Sequence, residues 1–334
     1  KTAQGLGEPL DEGHRHQLAD GAVSLRLGRD VQDAHAGHAR ASRVLVPVAQ
    51  DLQGGADRQE WAPGVERAGQ AGGGAELVGR ERLGRVLSPA QGVDVEAIGD
   101  FLGQTDMDDL GVDAAALDGV FITHEHSDHI KGLPTLLKQY HLPLFAPPAT
   151  LRAIRESLAV PEDTFTPLTG NVMLGAVSVK SFSTLHDAVS PVGYTVCGSE
   201  KCALATDLGF LTNDVMSAIE GADALILEAN HDRELLQHGS YPWHLKQRIL
   251  SNRGHLSNSA AAWALVRLKK RPRAVFLAHM SQENNRPELV EETVRTILAQ
   301  QNVQQENIVL AAQDVPTCWR FDKRRPTQMA LQES

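Results

Sequence analysis

Between Gly119 and Gly132 the chain reads GVFITHEHSDHIKG, and four metal-ligand side chains fall within six residues: His124, His126, Asp128 and His129. They follow the apolar run Val120-Phe121-Ile122-Thr123, which reads as a buried strand, so the ligands sit where that strand ends. Residues of alternating direction on a strand and its turn let His124 and His126 face one divalent ion, while Asp128 and His129 face a second. Two ions held in that way activate water for hydrolysis. The alternative is a solvated loop that happens to be rich in histidine, and it would need no partners elsewhere. Three partners occur downstream. His186 follows the apolar stretch 179–185, Asp207 ends 201–206 with Gly209 giving room to turn, and His279 ends 274–278. Each ligand-type residue sits at the carboxyl end of an apolar strand, where open α/β sheets place their sites.

The elements that must position these residues read as an α/β protein from about residue 108 onward. Strands are expected at 119–123, 142–146, 172–183, 193–196, 201–206, 224–228, 274–278 and 308–311. Helices are expected at 132–140, 149–158, 213–219, 242–251, 257–268 and 287–300. The 193–206 hairpin is antiparallel, and the later strand–helix–strand alternation implies parallel crossovers, so mixed sheets with helices outside follow.

Bulk properties narrow the class. The 334 residues are 42% hydrophobic, which suits a globular protein with ample core. No apolar stretch approaches the roughly 18 residues needed to span a bilayer, so no membrane partner is expected. Three cysteines give no disulfide framework, and a reducing cytoplasm is the expected compartment. Cys197 and Cys202 flank a turn and read either as two core thiols or as a redox pair. The formal net charge of −10 excludes a global basic field for nucleic acid. A pair of divalent ions would still contribute about +4 locally, which a whole-chain count misses.

Composition changes sharply near residue 105. Residues 1–100 hold no Phe, Tyr, Cys, Asn or Met, and a single isoleucine, Ile98. The one good strand in that stretch is 44–48. Such a segment lacks the side chains that fill a core. It reads either as a low-complexity, disordered or loosely helical extension, or as a frame-shifted segment joined to a genuine hydrolase domain over 106–334. Its histidines, His14, His16, His35 and His38, read as exposed and unpaired.

THEHSDH together with the separated His186, Asp207 and His279 resembles the metallo-β-lactamase fold superfamily, whose hallmark is HxHxDH followed by spaced His, Asp and His. HDAVSPVGYT, ATDLG, LEANHD, GHLSN and AHMSQENNRPE resemble its YycJ/WalJ-like branch, regarded as DNA-directed exonucleases. The resemblance covers residues 108–322 and implies an αββα sandwich. It implies that His124, His126 and His186 hold one metal, that Asp128, His129 and His279 hold the other, and that Asp207 bridges them. The ions would be Zn2+ or Mn2+, since ligand type alone does not choose. The branch motifs imply nucleic acid, DNA in particular, as the substrate; oligomeric state is left open.

A leaving alkoxide needs a proton, and histidine is the usual donor near neutral pH. His255, ahead of Leu256-Ser257-Asn258, resembles the His–x–Ser motif of tRNase-Z-like relatives and ranks ahead of His231, which follows Glu228 at a spacing of three. Asp128, Glu228, His231 and His255 are thus the catalytic candidates. Asn284, Asn285 and Arg286 read either as phosphate contacts or as the turn leading into a helix, and Tyr241 and Trp243 as base-stacking or packing residues. Superfamily members normally open with paired strands carrying a Gly/Ser-rich turn and an Asp-containing segment, which residues 1–105 do not show. If that segment is foreign, the sandwich lacks its usual first strands. Two other functions stay open: a small-molecule metallo-hydrolase acting on a cyclic phosphodiester, thioester or lactone, and an inactive metal-binding remnant.

Overall fold

The structure, a computed structural model, describes residues 114–311 and, outside that range, the strand segments 22–27, 42–47, 94–98 and 317–320. Among the described residues, two seven-stranded sheets form. From edge to edge, one runs 317–320, 94–98, 22–27, 42–47, 119–121, 144–146 and 165–167, and the other 308–310, 274–278, 224–228, 201–205, 192–197, 177–183 and 172–174. The first sheet joins β1 (Ala22–Leu27), β2 (Ser42–Pro47), β3 (Asp94–Ile98), β4 (Gly119–Phe121), β5 (Leu144–Ala146), β6 (Phe165–Pro167) and β14 (Thr317–Arg320). The second joins β7 (Val172–Leu174), β8 (Val177–Ser183), β9 (Val192–Cys197), β10 (Lys201–Ala205), β11 (Ala224–Glu228), β12 (Ala274–Ala278) and β13 (Ile308–Leu310). Each sheet is antiparallel on one side and parallel on the other. Pairing is parallel from β2 through β4 and β5 to β6, and from β10 through β11 and β12 to β13.

The period-2 direction of strand side chains builds the layers. In β12, Ala274, Phe276 and Ala278 point between the sheets while Val275 and Leu277 point to the helices outside. β10 and β11 alternate in the same way: Cys202, Leu204, Ala224 and Ile226 face inward, and Ala203, Ala205, Leu225 and Leu227 face outward. On the first sheet Phe121 points inward, stacked on Phe145 with ring centroids 4.5 Å apart and edge-on to Tyr194 at 5.6 Å. Val120 and Ile122 point out against helices Leu133–Tyr140 and Pro148–Ser157. Helices Asn213–Ile219, Asn258–Arg267 and Pro287–Gln300 cover the second sheet. The result is an αββα sandwich, the expected fold class.

Two bonds across the sandwich fix the chain just ahead of the histidine cluster. The Tyr194 hydroxyl donates to the Ile122 carbonyl at 2.6 Å, and the Val192 amide donates to the Thr123 carbonyl at 3.0 Å. Burial pushes the Tyr194 phenol well above its ordinary pKa, so it is a donor at any working pH. Tyr194→Phe should therefore cost about 1–3 kcal/mol by leaving a buried carbonyl without its donor, seen as a lower denaturant midpoint.

Several elements differ from expectation. The single strand expected at 172–183 is a hairpin, β7 and β8, because Gly175 takes φ 59° and Leu174 pairs with Val177 across a two-residue turn. β1 and β3 were not expected, although Val23, Leu25 and Leu27 alternate with Ser24 and Arg26. They pair with each other, and β1 pairs with β2, which joins β4. The first sheet thus has strands before β4, where the sequence showed only 44–48. Cys197 and Cys202 oppose Lys201 and Val196 respectively, one rung apart, so their side chains leave opposite faces of the sheet and both thiols are free. His14, His16, His35 and His38 lie outside the described residues.

Candidate metal centre

The ligand segment begins with a buried hydroxyl. Thr123 Oγ1 lies 3.1 Å from His124 Nδ1 and 3.2 Å from His129 Nδ1. The hydroxyl oxygen has two lone pairs, so it can accept an Nδ1–H from both rings, and in that arrangement both Nε2 atoms are available as ligands. His124 Nε2 is 3.0 Å from His126 Nδ1. Ligand atoms in a tetrahedral zinc site, with bonds of about 2.0–2.1 Å, lie about 3.4 Å apart, so this pair has the spacing of two ligands on one ion. The single helical turn Ser127–Ile130 then carries Asp128 and His129 round, and the His124 and His129 rings sit 4.0 Å apart.

The downstream residues arrive from the second sheet. His186 follows β8, and its Nδ1 bonds the Gly254 carbonyl at 3.1 Å, which places the proton there and leaves Nε2 as the ligand atom. That contact needs glycine: a Cβ on Gly254 would collide with the carbonyl oxygens of Arg248 and Ile249. Asp207 and His279, just past β10 and β12, both adopt left-handed backbone, with φ 56° and φ 59°. Strained conformations of this kind concentrate at functional sites, where surrounding structure over-determines them. Asp207 Oδ1 lies 3.2 Å from His279 Nε2 and 3.9 Å from His186 Nε2, and its Oδ2 lies 3.6 Å from His129 Nε2. One carboxylate therefore stands between two sets of imidazoles.

Four groups have potential ligand atoms within 4.8 Å of one another: His124, His126 and His186; His124, His129 and Asp207; Asp128, His129 and His279; and Asp207, Glu228, His255 and His279. All seven residues singled out in the sequence as ligands are brought together. Burial holds the His186 imidazole down at about 4 and drops His124 well below the ordinary imidazole range. Burial would raise the Asp207 carboxyl, yet the His279 and His129 rings outweigh it and hold Asp207 ionised far below its usual value. His124 and His186 are thus neutral beside an ionised carboxylate, as a divalent cation requires. Burial opposes a charge on His129 too, but the Asp207 and Asp128 carboxylates raise its imidazole, so a cation binding there must displace any proton it holds. His129 Nε2, His186 Nε2 and Asp207 Oδ2 are buried with no hydrogen-bond partner. Leaving such atoms unsatisfied costs about 1–3 kcal/mol each, and a bound cation removes that cost, so the residues fit a metal.

Glu228 sits behind this cluster, fully buried. Its Oε1 is 2.7 Å from both His255 Nδ1 and His279 Nδ1, and its Oε2 accepts the amides of Leu208 and Leu256 at 3.1 and 3.0 Å. Burial opposes its charge, but His255 above all holds it at about 2. The carboxylate fixes the tautomer of His279 and leaves its Nε2 pointing at Asp207. The His255 ring lies 5.0 Å from His186 and 5.2 Å from His279. His231 is buried beside Ser257, to which it is bridged, with neither ring nitrogen hydrogen-bonded, and burial lowers it to about 4.

Asp187 escaped the sequence reading. Its Oδ1 is 3.4 Å from His186 Nε2, and its other oxygen is held by Arg248, 61 residues away. Only the neighbouring ligand could have signalled it. Asn284 and Asn285 are buried rather than exposed to a phosphate. Asn285 exchanges amide bonds with Asn258 at 2.8 and 2.9 Å and donates to the Ala229 carbonyl, while Asn284 bonds Ser281. Tyr241 is buried and Trp243 is exposed.

The comparisons agree with this architecture. Residues 94–280, more than half the chain, match the family model described as a beta-lactamase superfamily domain, and the chain belongs to that family. Within it the chain falls in the YycJ/WalJ-like branch. It is 40% identical over 191 residues to Exodeoxyribonuclease WalJ of Streptococcus pneumoniae, covering 55% of this chain and 71% of the relative. It is equally 40% identical over 185 residues to Exodeoxyribonuclease YycJ of Bacillus anthracis, covering 54% and 70%. The crystal structure of the metallo-beta-lactamase fold protein YhfI from Bacillus subtilis aligns with a TM-score of 0.49 at 14% identity, over 90% of this chain and all of that one.

Proposed function

We propose that the chain is a dinuclear metal-dependent phosphodiesterase that removes nucleotides from the ends of DNA. The observation that carries this reading is the gathering of seven candidate ligand side chains, with the Asp207 carboxylate between two imidazole sets. Its relatives bear the name exodeoxyribonuclease, which supplies the substrate class. His124, His126 and His186 would hold one Zn2+ or Mn2+ ion, and Asp128, His129 and His279 the other, with Asp207 shared. Bound there, the ions supply Lewis acidity: they lower the pKa of water to about 7 and neutralise charge on a phosphoryl group.

The protein's own residues do the rest. Thr123 and Glu228 orient the imidazoles, and the Gly254 carbonyl orients His186. His255 keeps its Nδ1 proton on Glu228, which leaves Nε2 as the atom that exchanges a proton with the leaving oxygen. His231 is the second candidate for that role. Glu228, saturated by four donors, acts as a positioning residue. The free thiols Cys197 and Cys202 suit a reducing cytoplasm. Among the described residues no helix is long and apolar enough to cross a membrane.

The test is release of nucleotides from end-labelled duplex DNA by the purified protein, with a panel of cyclic phosphodiester, thioester and lactone substrates alongside. Release should need added Zn2+ or Mn2+, stop with chelator and fail in Asp128→Ala. Cleavage of only a small substrate would replace the nuclease reading. Chelation should also lower the melting temperature, since a ligand at 100 times its Kd stabilises by about 2.7 kcal/mol, and elemental analysis should find two ions per chain.

A further inference from the structure

The two halves of the proposed metal centre are unequal in charge. Asp128, His129 and His279 include a carboxylate of their own besides the shared Asp207, whereas His124, His126 and His186 offer imidazoles alone. A further carboxylate stands on that poorer side. Asp187 Oδ1 lies 3.4 Å from His186 Nε2 and 3.9 Å from His126 Nε2, and both rings belong to the first group.

The position of the protons makes this contact informative. A neutral imidazole carries one, and the Gly254 carbonyl, which can only accept, holds that of His186 on Nδ1 at 3.1 Å. His186 Nε2 therefore presents a lone pair, and it is buried without a hydrogen-bond partner. Asp187 Oδ1 and Asp207 Oδ1 face it at 3.4 and 3.9 Å, acceptor against acceptor. His126 Nε2, at 3.9 Å, is too far from Asp187 to give a proton. Acceptors gathered in this way repel one another unless a cation lies among them. About 3.4 Å is also the separation of two ligands on one tetrahedral ion.

Asp187 is held for this task from both sides. Arg248 Nε donates to its Oδ2, which fixes the side chain and leaves Oδ1 turned to the rings. Arg248 lies in the helix Trp243–Ile249, and the turn that follows carries Gly254, packed so closely that a Cβ there would meet the Arg248 carbonyl oxygen. One segment thus sets His186 through Gly254 and Asp187 through Arg248. Opposite, the Val189 amide donates to Glu125 Oε1 at 2.7 Å and ties the loop after Asp187 to the stretch between His124 and His126.

Resting on the metal-dependent reading above, we propose that Asp187 is an eighth ligand, binding through Oδ1 the ion held by His124, His126 and His186. Each ion then has one carboxylate of its own and shares Asp207. Carboxylates suit Mn2+, which takes more and harder ligands than Zn2+. Three imidazoles and Asp207 already complete the four ligands that zinc takes, so Asp187 matters most for Mn2+.

The test is metal binding by the purified full chain with no substrate present, Mn2+ by electron paramagnetic resonance and Zn2+ by competition with a chelator. Asp187→Asn should lower the Mn2+ affinity of one site by at least about 100-fold, beyond what loss of an outer partner costs. Its Zn2+ affinity should fall by less than about tenfold, because four ligands remain. The Asp187 side chain is 29% exposed, so the variant should fold, melting in chelator within a few degrees of wild type. Asp187→Ala should shift the preference in the same direction, so the result does not hang on one replacement. A Mn2+ loss no greater than the Zn2+ loss overturns the proposal, making Asp187 at most a partner that orients the imidazoles, and leaves the seven candidate ligands intact. If wild type binds neither ion, the metal-dependent reading falls as well.

Discussion

Asp207→Asn is expected to give a folded protein that binds fewer than two metal ions and cleaves DNA more than about 100-fold more slowly. The lower bound follows from outer hydrogen-bonding partners of metal ligands, whose loss already costs about 10–100-fold. Asparagine is the informative replacement because of the backbone. Asp207 sits at φ 56°, a conformation that asparagine tolerates and alanine adopts at a cost of about 1–2 kcal/mol. The amide keeps the volume and one acceptor oxygen, but removes the negative charge lying 3.2 Å from His279 Nε2 and 3.6 Å from His129 Nε2. In chelator, wild type and Asp207→Asn should melt within a few degrees of each other. With Zn2+ or Mn2+ added, wild type should gain stability and the variant should gain much less. A variant that retains two ions and full activity would remove Asp207 from the ligand set.

The legibility of this site followed from locality. THEHSDH is contiguous, and His186, Asp207 and His279 each follow an apolar strand, so the side chains that come together in the cluster could be picked out as candidates from the sequence. Thr123 could not be read in the same way, because a threonine before a histidine is ordinary until its hydroxyl is found against two rings. Gly254 holds His186 through a carbonyl 68 residues away, and Asp187 meets Arg248 across 61, contacts that no sequence period encodes. Helices with strong caps or long apolar stripes were found nearly to the residue, as with Asn213–Ile219 and Pro287–Gln300. Short elements were missed: the turn Ser127–Ile130 and the three-residue β6 carry too few residues to show a period. β1 and β3 do alternate, but inside a segment so poor in aromatic and branched side chains that composition masked the pattern.

Glu228→Gln is expected to damage the scaffold and the site together. The wild-type carboxylate accepts four hydrogen bonds: two imidazoles on Oε1 and two backbone amides on Oε2. Glutamine offers one oxygen and one NH2 group, so whichever way it turns, a donor faces two donors. Breaking a buried, paired charge in this way costs on the order of 3–5 kcal/mol. The loss should appear as a lower denaturant midpoint in the presence of chelator, where metal binding contributes nothing. The same change frees His279 to take the wrong tautomer, so metal affinity should drop about 10–100-fold as well. His255→Gln separates the roles, because it spares the Glu228 contacts to His279, Leu208 and Leu256. It should leave metal content near wild type and lower kcat, with the alkaline limb of the pH–rate profile altered, if His255 supplies the proton to the leaving oxygen. A Glu228→Gln protein with unchanged stability and metal content but no turnover would assign the carboxylate to the chemistry itself. The geometry argues against that outcome: all four of its bonds point to protein atoms, and its side chain has no exposed surface from which to reach a substrate.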